Sequence, residues 1–181
     1  MTADLILIAL LVVGFAVGYI RGAVRQLLAL GAGLVALLLA ANVRSLIGGW
    51  LSEQWPHFQV AYVEMLVFAM VFVLVFLIGF AFAQVSGGRT TITRHERPDA
   101  VLGALLGTGL VILTLASVYV ILASYYGVPT RPGGQDIGLL RELHVALDGS
   151  AIIGALRDSL LPGLGAILSP LLPPDIRAVM G

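Results

Sequence analysis

The stretch Gly18-Tyr19-Ile20-Arg21-Gly22-Ala23-Val24-Arg25 decides the fold of this chain, because it interrupts a long apolar part of the sequence. Residues 5–20 before it and residues 26–43 after it carry no charged side chain. One continuous helix over both segments would be about 55–60 Å long, whereas the hydrocarbon core of a bilayer is about 30 Å thick. The chain is therefore expected to fold back at this stretch.

Two arginines indicate the depth of this turn in the membrane. Arg21 and Arg25 are four residues apart and share one helical face. An arginine in the hydrocarbon core costs at least a few kcal/mol, so both side chains should reach a lipid headgroup layer. Gly22 adopts a positive φ without steric cost, which suits a sharp turn. We predict that this turn lies at one membrane surface, and binding of a substrate by the two arginines is the alternative.

The composition indicates an integral membrane protein. Of the 181 residues, 59% are hydrophobic and only 11% are charged, which is more apolar than a soluble domain of this size requires. The net charge is zero, so the chain lacks the basic footprint of a nucleic-acid-binding protein. These numbers predict the lipid bilayer as a partner and no nucleic acid.

The sequence contains no recognisable catalytic constellation. It has no cysteine, which excludes disulfides and thiol chemistry. Its three histidines, His57, His95 and His144, lie in separate segments, and neither HExxH nor GxSxG occurs. We therefore expect no catalytic residue, no metal site and no cofactor, and we expect that the protein is not an enzyme.

Four apolar segments predict transmembrane helices. They are residues 5–20, 26–43, 61–85 and 100–126, separated by the turn, a polar interruption at 44–60 and a polar loop at 86–98. The first two segments are at the short end of the spanning range, so a re-entrant hairpin is the alternative for that pair. The expected fold class is an all-α integral membrane protein with four transmembrane helices plus amphipathic C-terminal helices.

The C-terminal part of the chain differs in kind. We divide the sequence into a four-helix transmembrane domain (1–126), a Pro/Gly linker (127–135) and an amphipathic tail (136–181). The leucines of residues 136–148 recur at helical spacing, and Gly149 ends that pattern. Prolines divide the remainder into pieces that we expect to be too short to span a membrane. The tail should lie either on the membrane surface or on the helix bundle.

The distribution of arginines predicts the orientation. The first and third loops carry five arginines, namely Arg21, Arg25, Arg89, Arg94 and Arg97. The second loop carries only Arg44. Positively charged loops stay in the cytoplasm, so both termini are predicted to lie outside it.

Four further residues are candidates for a structural or functional role. Gly103 and Gly107 are four apart, a spacing that lets two helix backbones approach closely, within one subunit or between subunits. Asp99 precedes the fourth apolar segment and is expected to cap that helix. Glu64 lies near the start of the third helix, where it is either solvated at headgroup level or an intramembrane functional acid.

These motifs resemble the CvpA, or colicin V production protein, family. The residues that carry the resemblance are Asp4, Gly18, Arg21, Gly22, Arg25, Leu27, Leu28, Asp99, Gly103 and Gly107. The resemblance covers about Ala3 to Tyr126 and is loose in the tail. It implies a bacterial inner-membrane protein with four helices that assists the production or export of a toxin peptide, or envelope function more broadly.

Two functions from different classes follow. The first is a non-enzymatic CvpA-like protein that acts through a membrane protein partner or as a homo-oligomer. The alternative is a small oligomeric channel or transporter, in which charged residues line a path through the membrane. The charged residues concerned are Arg21, Arg25, Glu64 and Asp99.

Overall fold

The computed structural model describes residues 2–86, 96–127 and 138–180, and their regular structure is entirely helical. The all-α fold class is therefore confirmed. The helices are α1 (Thr2–Arg21), α2 (Ala23–Gln54), α3 (Val60–Ser86), α4 (Glu96–Tyr126), α5 (Gly138–Asp148), α6 (Ala151–Ala155), α7 (Leu161–Leu168) and α8 (Pro174–Met180), with a π-helical segment at Leu156–Leu160. Most of the predicted loop at 86–98 and of the predicted linker at 127–135 lies outside the described residues.

The turn between α1 and α2 is a single residue. The N–H of Gly22 still donates to the carbonyl of Gly18 at 3.0 Å, as in the last turn of a helix. Its φ of +80° then ends α1. The predicted positive φ at this position is confirmed. With 20 and 32 residues, both helices are long and apolar enough to cross a membrane. Their lengths favour spanning helices over the re-entrant hairpin.

Helix α2 is longer than the sequence suggested. We predicted an end at Val43 and a polar interruption over residues 44–60, but the helix continues through Gly48 and Gly49 to Gln54. Glycine costs about 1 kcal/mol relative to alanine inside a helix, which made this segment look like a loop. At Gly48 the missing side chain has a use, because a Cβ there would lie 2.9 Å from the Cα of Glu64 on α3.

The tail also differs from its prediction. Residues 151–168 form a helical run of 18 residues that is a fifth segment long and apolar enough to span, by length and composition. We had expected Pro162 to break this run. The ring of a proline clashes with the carbonyl four residues earlier in an α-helix. The segment directly before Pro162, Leu156–Leu160, is π-helical, with hydrogen bonds that span five residues. In this segment the N–H of Leu161 donates to the carbonyl of Leu156.

The described residues form two compact units. The first combines residues from 1–36 and 73–115, that is α1, the first part of α2, the second part of α3 and the first part of α4. Its buried centre contains Ala29, Ala83 and Leu110, with Phe76 and Phe80 packed against them. Small residues thus face large aromatic ones in this core.

The second unit combines residues from 37–72 and 116–181, so it contains the tail together with parts of α2, α3 and α4. The tail supplies buried side chains to it: Ile153, Leu161 and Ile176 are each at most 1% exposed. Asn42 of α2 donates to the carbonyl of Leu171 at 2.9 Å. The tail thus contacts the helix bundle, which is one of the two positions predicted for it.

His144 of α5 packs between two tyrosines of α4 in this second unit. Its ring stacks on Tyr119 at 6.1 Å and on Tyr126 at 5.6 Å between centroids. Its Nδ1 is buried without a hydrogen-bond partner in the described part of the chain. Burial lowers the pKa of His144 from its ordinary value of 6.5, and the carboxylate of Asp148 raises it by a smaller amount.

This histidine predicts a loss of stability in acid. Because the pKa is lower in the folded protein, the unfolded chain binds a proton more readily once the pH falls to about 6.5, and the free energy of unfolding should fall below that pH. Thermal unfolding in detergent between pH 5 and 8 measures this. His144→Gln should flatten the dependence, whereas His57→Gln should not. An unchanged pH profile in His144→Gln would exclude His144 as its source.

Candidate functional site

In the first unit, α1 and α4 cross in close contact through four glycines. A Cβ at Gly18 would lie 3.0 Å from the Cα of Gly107, and one at Gly107 would lie 2.8 Å from the Cα of Gly18. Gly14 and Gly103 lie against the same crossing, next to the backbones of Gly107 and Gly18 respectively. Real Cβ atoms do not tolerate such distances, so only glycine permits this approach.

The order of these contacts makes α1 and α4 antiparallel. Gly14 meets Gly107, while Gly22 lies against Gly103, so position increases along α1 as it decreases along α4. The predicted packing of the Gly103 and Gly107 face against another helix is confirmed, and its partner lies within the same chain. The face is thereby occupied inside one subunit.

Asp99 closes the crossing at the turn. Its Oδ1 accepts a hydrogen bond from the N–H of Ala23 at 3.2 Å, and a Cβ at Gly22 would collide with its Oδ2. Ala23 is the first residue of α2, where backbone N–H groups have no partner within the helix. The carboxylate thus caps α2 from a position 76 residues away in sequence.

The predicted role of Asp99 is therefore wrong in one respect. We expected it to cap its own helix, but α4 begins three residues earlier, at Glu96, so Asp99 lies inside the first helical turn. The sequence correctly predicted that Asp99 caps the start of a helix, but the capped helix is α2 and not α4. We call Gly22, Ala23 and Asp99 the turn clamp.

The two arginines of the turn occupy different surroundings. The guanidinium of Arg21 lies 5.4 Å from the ring centroid of Phe80 on α3, within the range of a cation–π interaction. Arg21 also lines a cleft between the helices, together with Gly107, whereas Arg25 is half-buried at the start of α2 and does not line it. The two arginines of the predicted pair therefore lie in different surroundings.

Glu64 belongs to the second unit and takes no part in this site. It is half-buried on α3 and packs against Gly48 of α2, where a Cβ would lie 2.7 Å from its Cγ. Five of the seven candidate residues are brought together at the crossing and its turn: Arg21, Gly22, Asp99, Gly103 and Gly107. Arg25 lies beside them.

Two polar residues were missed by the sequence reasoning. Gln26 is 2% exposed, and its Oε1 has no hydrogen-bond partner among the described residues. Arg44, in the second unit, is buried, forms an ion pair with Asp175 of α8 and lies 5.5 Å from the ring centroid of Phe68. The only hint in the sequence that Gln26 is buried is its position beside an apolar segment. The pairing of Arg44 with Asp175 could not be predicted, because no rule of sequence spacing connects them.

The described residues contain no cluster of three or more histidine, aspartate or glutamate side chains that could hold a metal ion. The geometry instead supports tight helix packing: four glycines at a crossing and an aspartate that fixes the adjoining turn. Such an arrangement holds three helix ends in a fixed relation.

Comparison with known families agrees with these motifs. The sequence model of the family described as "Colicin V production protein" matches residues 3–159. The chain belongs to the colicin V production protein family. No curated protein and no solved structure gave a match.

Membership of the colicin V production protein family extends further along the chain than the motifs indicated. The resemblance quoted above ended at Tyr126, whereas the family match continues through α5 and α6 to residue 159. The matched range therefore includes the part of the tail that contains His144 and Asp148. Together with the apolar helices, the family places this chain among multi-pass membrane proteins.

Proposed function

We propose that this protein is a non-enzymatic membrane protein that assists the production or export of a colicin V-type toxin, or envelope homeostasis. The family match over residues 3–159 carries this proposal. Its candidate site is built for packing: the charge of Asp99 is directed at the backbone of α2, and the glycine face is filled by α1. Both features support a rigid scaffold that presents its surface to another membrane protein.

The rival function, a small channel or transporter, makes a different claim about Asp99. A carboxylate that lines a path acts through its charge. A carboxylate that caps a helix acts through an oxygen acceptor, and asparagine supplies one equally well. The hydrogen bond from Ala23 to Asp99 favours the capping role.

Substitution of Asp99 therefore separates the two functions. We expect Asp99→Asn to keep toxin production and most of the stability, whereas Asp99→Ala should lose about 0.5–2 kcal/mol and part of the activity. The assay is complementation of a bacterial strain that lacks its own family member and carries a colicin V-type toxin, with unfolding in detergent as the control for folding. Stable but inactive Asp99→Asn protein would contradict the scaffold and support a conducting path.

We propose further that the protein lies in the bacterial inner membrane with both termini outside the cytoplasm. The arginine distribution supports this orientation. The contacts of the tail support a tail whose two ends lie on the same side of the membrane. Just before the helical run 151–168, Asp148 accepts a hydrogen bond from Tyr119, and just after it Leu171 accepts one from Asn42.

The depths of these two attachment points are similar. Tyr119 lies seven residues before the end of α4 and Asn42 twelve before the end of α2, about 10 Å and 18 Å along their helices. The end of α4 lies beside the short connection between α2 and α3, because Tyr125 of α4 donates to Gln59 of that connection at 3.3 Å. A span over residues 151–168 would separate its ends by about 27 Å, far more than this difference of about 8 Å.

Single cysteines test the orientation without background, since the chain has no cysteine. In intact cells, His57→Cys and Ala178→Cys should react with a membrane-impermeant maleimide, and His95→Cys should be protected until the cells are lysed. The reverse pattern would overturn the orientation. Labelling of His57→Cys without Ala178→Cys would show that the tail crosses the membrane.

We propose also that the protein acts together with a membrane protein partner or with further copies of itself. The mass of the detergent-purified protein distinguishes the forms: a closed ring supports a pore, whereas a monomer supports an adaptor that engages another protein. Measurement on Asp99→Asn alongside the natural chain shows whether a change of activity follows a change of assembly.

A further inference from the structure

A narrow cleft in the first unit has the features of a lipid site. It has a volume of about 190 Å³ and lies between α1, α4, the start of α2 and Phe80 of α3. Its lining is almost entirely apolar, and its two polar residues are Arg21 and Gln26. We name it the α1–α4 cleft.

The length and direction of the cleft match one leaflet of a bilayer. Along α1 it is lined from Leu10 to Arg21, a distance of about 16 Å at 1.5 Å per residue. Half of a hydrocarbon core is about 15 Å. The cation lies at the end that carries the helix turn, where a headgroup layer is expected, and the apolar walls continue from there along α1.

Gln26 gives the second, independent indication of a ligand. This side chain is 98% buried and lines the cleft, yet its Oε1 has no hydrogen-bond partner among the described residues. A buried acceptor without a partner is unfavourable, and a donor from a bound molecule would satisfy it. Water alone suits the cleft poorly, because an ordered water needs two to four polar partners and these walls are apolar.

The charge at the turn indicates the headgroup. Arg21 and Arg25 lie within four residues of each other, and the carboxylate of Asp99 is already engaged by the N–H of Ala23. Arg21 lines the cleft, and the described residues that line it with Arg21 include no carboxylate to balance its charge. A phosphate with a net negative charge balances it, and a hydroxyl on the same headgroup can donate to Gln26.

We propose that the α1–α4 cleft binds an anionic phospholipid of the phosphatidylglycerol type. Its phosphate contacts the guanidinium of Arg21, a headgroup hydroxyl donates to Oε1 of Gln26, and part of one acyl chain fills the apolar length of the cleft. This site is independent of the function proposed above, since a scaffold and a channel could both hold a lipid here.

The first test compares lipids on the natural full-length protein. Phosphatidylglycerol, phosphatidylethanolamine and phosphatidylcholine with identical palmitoyl and oleoyl chains are added to the detergent-solubilised protein, and the unfolding temperature is measured. We expect the largest rise with phosphatidylglycerol and none with glycerol phosphate, which has the headgroup but no acyl chain. Equal shifts for the three lipids would overturn the proposal, and so would an equal shift from glycerol phosphate.

The second test uses matched variants at the turn. Arg21→Gln and Arg25→Gln remove the same charge, but only Arg21 lines the cleft. Loss of a charge-assisted hydrogen bond should weaken apparent binding of phosphatidylglycerol about tenfold or more in Arg21→Gln and leave Arg25→Gln close to the natural chain. Equal losses in both variants would show attraction of headgroups to the whole turn and overturn a site in the cleft.

Gln26→Leu tests the second contact. It keeps the volume and removes the unpaired acceptor, so the lipid-free protein should become more stable while its preference for phosphatidylglycerol over phosphatidylethanolamine falls. If Arg21→Gln does not fold, native mass spectrometry of the natural chain in an equimolar lipid mixture gives the same answer. Retained adducts without enrichment of phosphatidylglycerol would contradict the proposal.

Discussion

Gly103→Leu is expected to abolish stable packing of the first unit, at a cost of about 3 kcal/mol or more. A Cβ at Gly103 would lie 2.7 Å from the carbonyl carbon of Gly22 and 2.9 Å from its Cα. These neighbours are backbone atoms of the turn between α1 and α2, so no side chain can rotate away to make room. The helices α1 and α4 would have to separate along the whole glycine crossing.

A matched glycine provides the control for this prediction. Gly31 lies inside α2, and a Cβ there would meet no atom within 4 Å. Gly31→Ala should therefore keep or raise the stability, because alanine is favoured over glycine in a helix by about 1 kcal/mol. Gly103→Ala already adds the clashing Cβ and should unfold at a lower temperature than Gly31→Ala in detergent. Equal unfolding temperatures of the two alanine variants would refute the crossing.

The sequence was sufficient to predict a close helix approach at these glycines, but the partner had to come from the structure. Small residues four apart give a flat helix face whichever helix lies against it. Gly14 and Gly18 of α1 show the same spacing, and their register against Gly103 and Gly107 follows from the antiparallel crossing. Local periodicity carries no information on that pairing.

The role of Asp99 shows a similar limit. Its residue type predicted a helix cap, and the physical chemistry of that prediction was correct: the carboxylate does accept from a free N–H at a helix start. The identity of the capped helix depends on a contact across 76 residues, which no local rule supplies. The positive φ of the turn at Gly22 was predictable, because glycine adopts that conformation without steric cost. The length of the turn was not predicted: the apolar segments ended at residue 20 and resumed at residue 26, whereas the helices leave out only Gly22.

The tail was the least predictable part because its helices depend on contacts with the bundle. Pro162 is tolerated after a π-helical turn, and Arg44 is buried because Asp175 of α8 reaches it. Neither feature has a sequence pattern of its own. Gln26, on which the lipid proposal rests, likewise looked like an ordinary polar residue at a helix start, and only its burial distinguishes it.

Gly22→Val is expected to be the second most damaging substitution, with a loss of about 3 kcal/mol. Gly22 has φ +80°, and a residue with a Cβ pays about 1–2 kcal/mol for that conformation. The new Cβ would also collide with Oδ2 of Asp99 and displace the carboxylate from the N–H of Ala23. Arg21→Lys, one residue away, keeps both the charge and the backbone conformation and should be much milder.

The two causes can be separated by a double substitution. In an Asp99→Ala background the carboxylate is absent, so Gly22→Val there should still cost about 1–2 kcal/mol from the backbone alone. The remainder of its effect in the natural chain then measures the lost contact between the turn and Asp99. Thermal unfolding in detergent of the two single variants, the double variant and Arg21→Lys gives all the required differences. If Gly22→Val were as stable as the natural chain, two assignments would be refuted: the one-residue turn between α1 and α2, and the turn clamp.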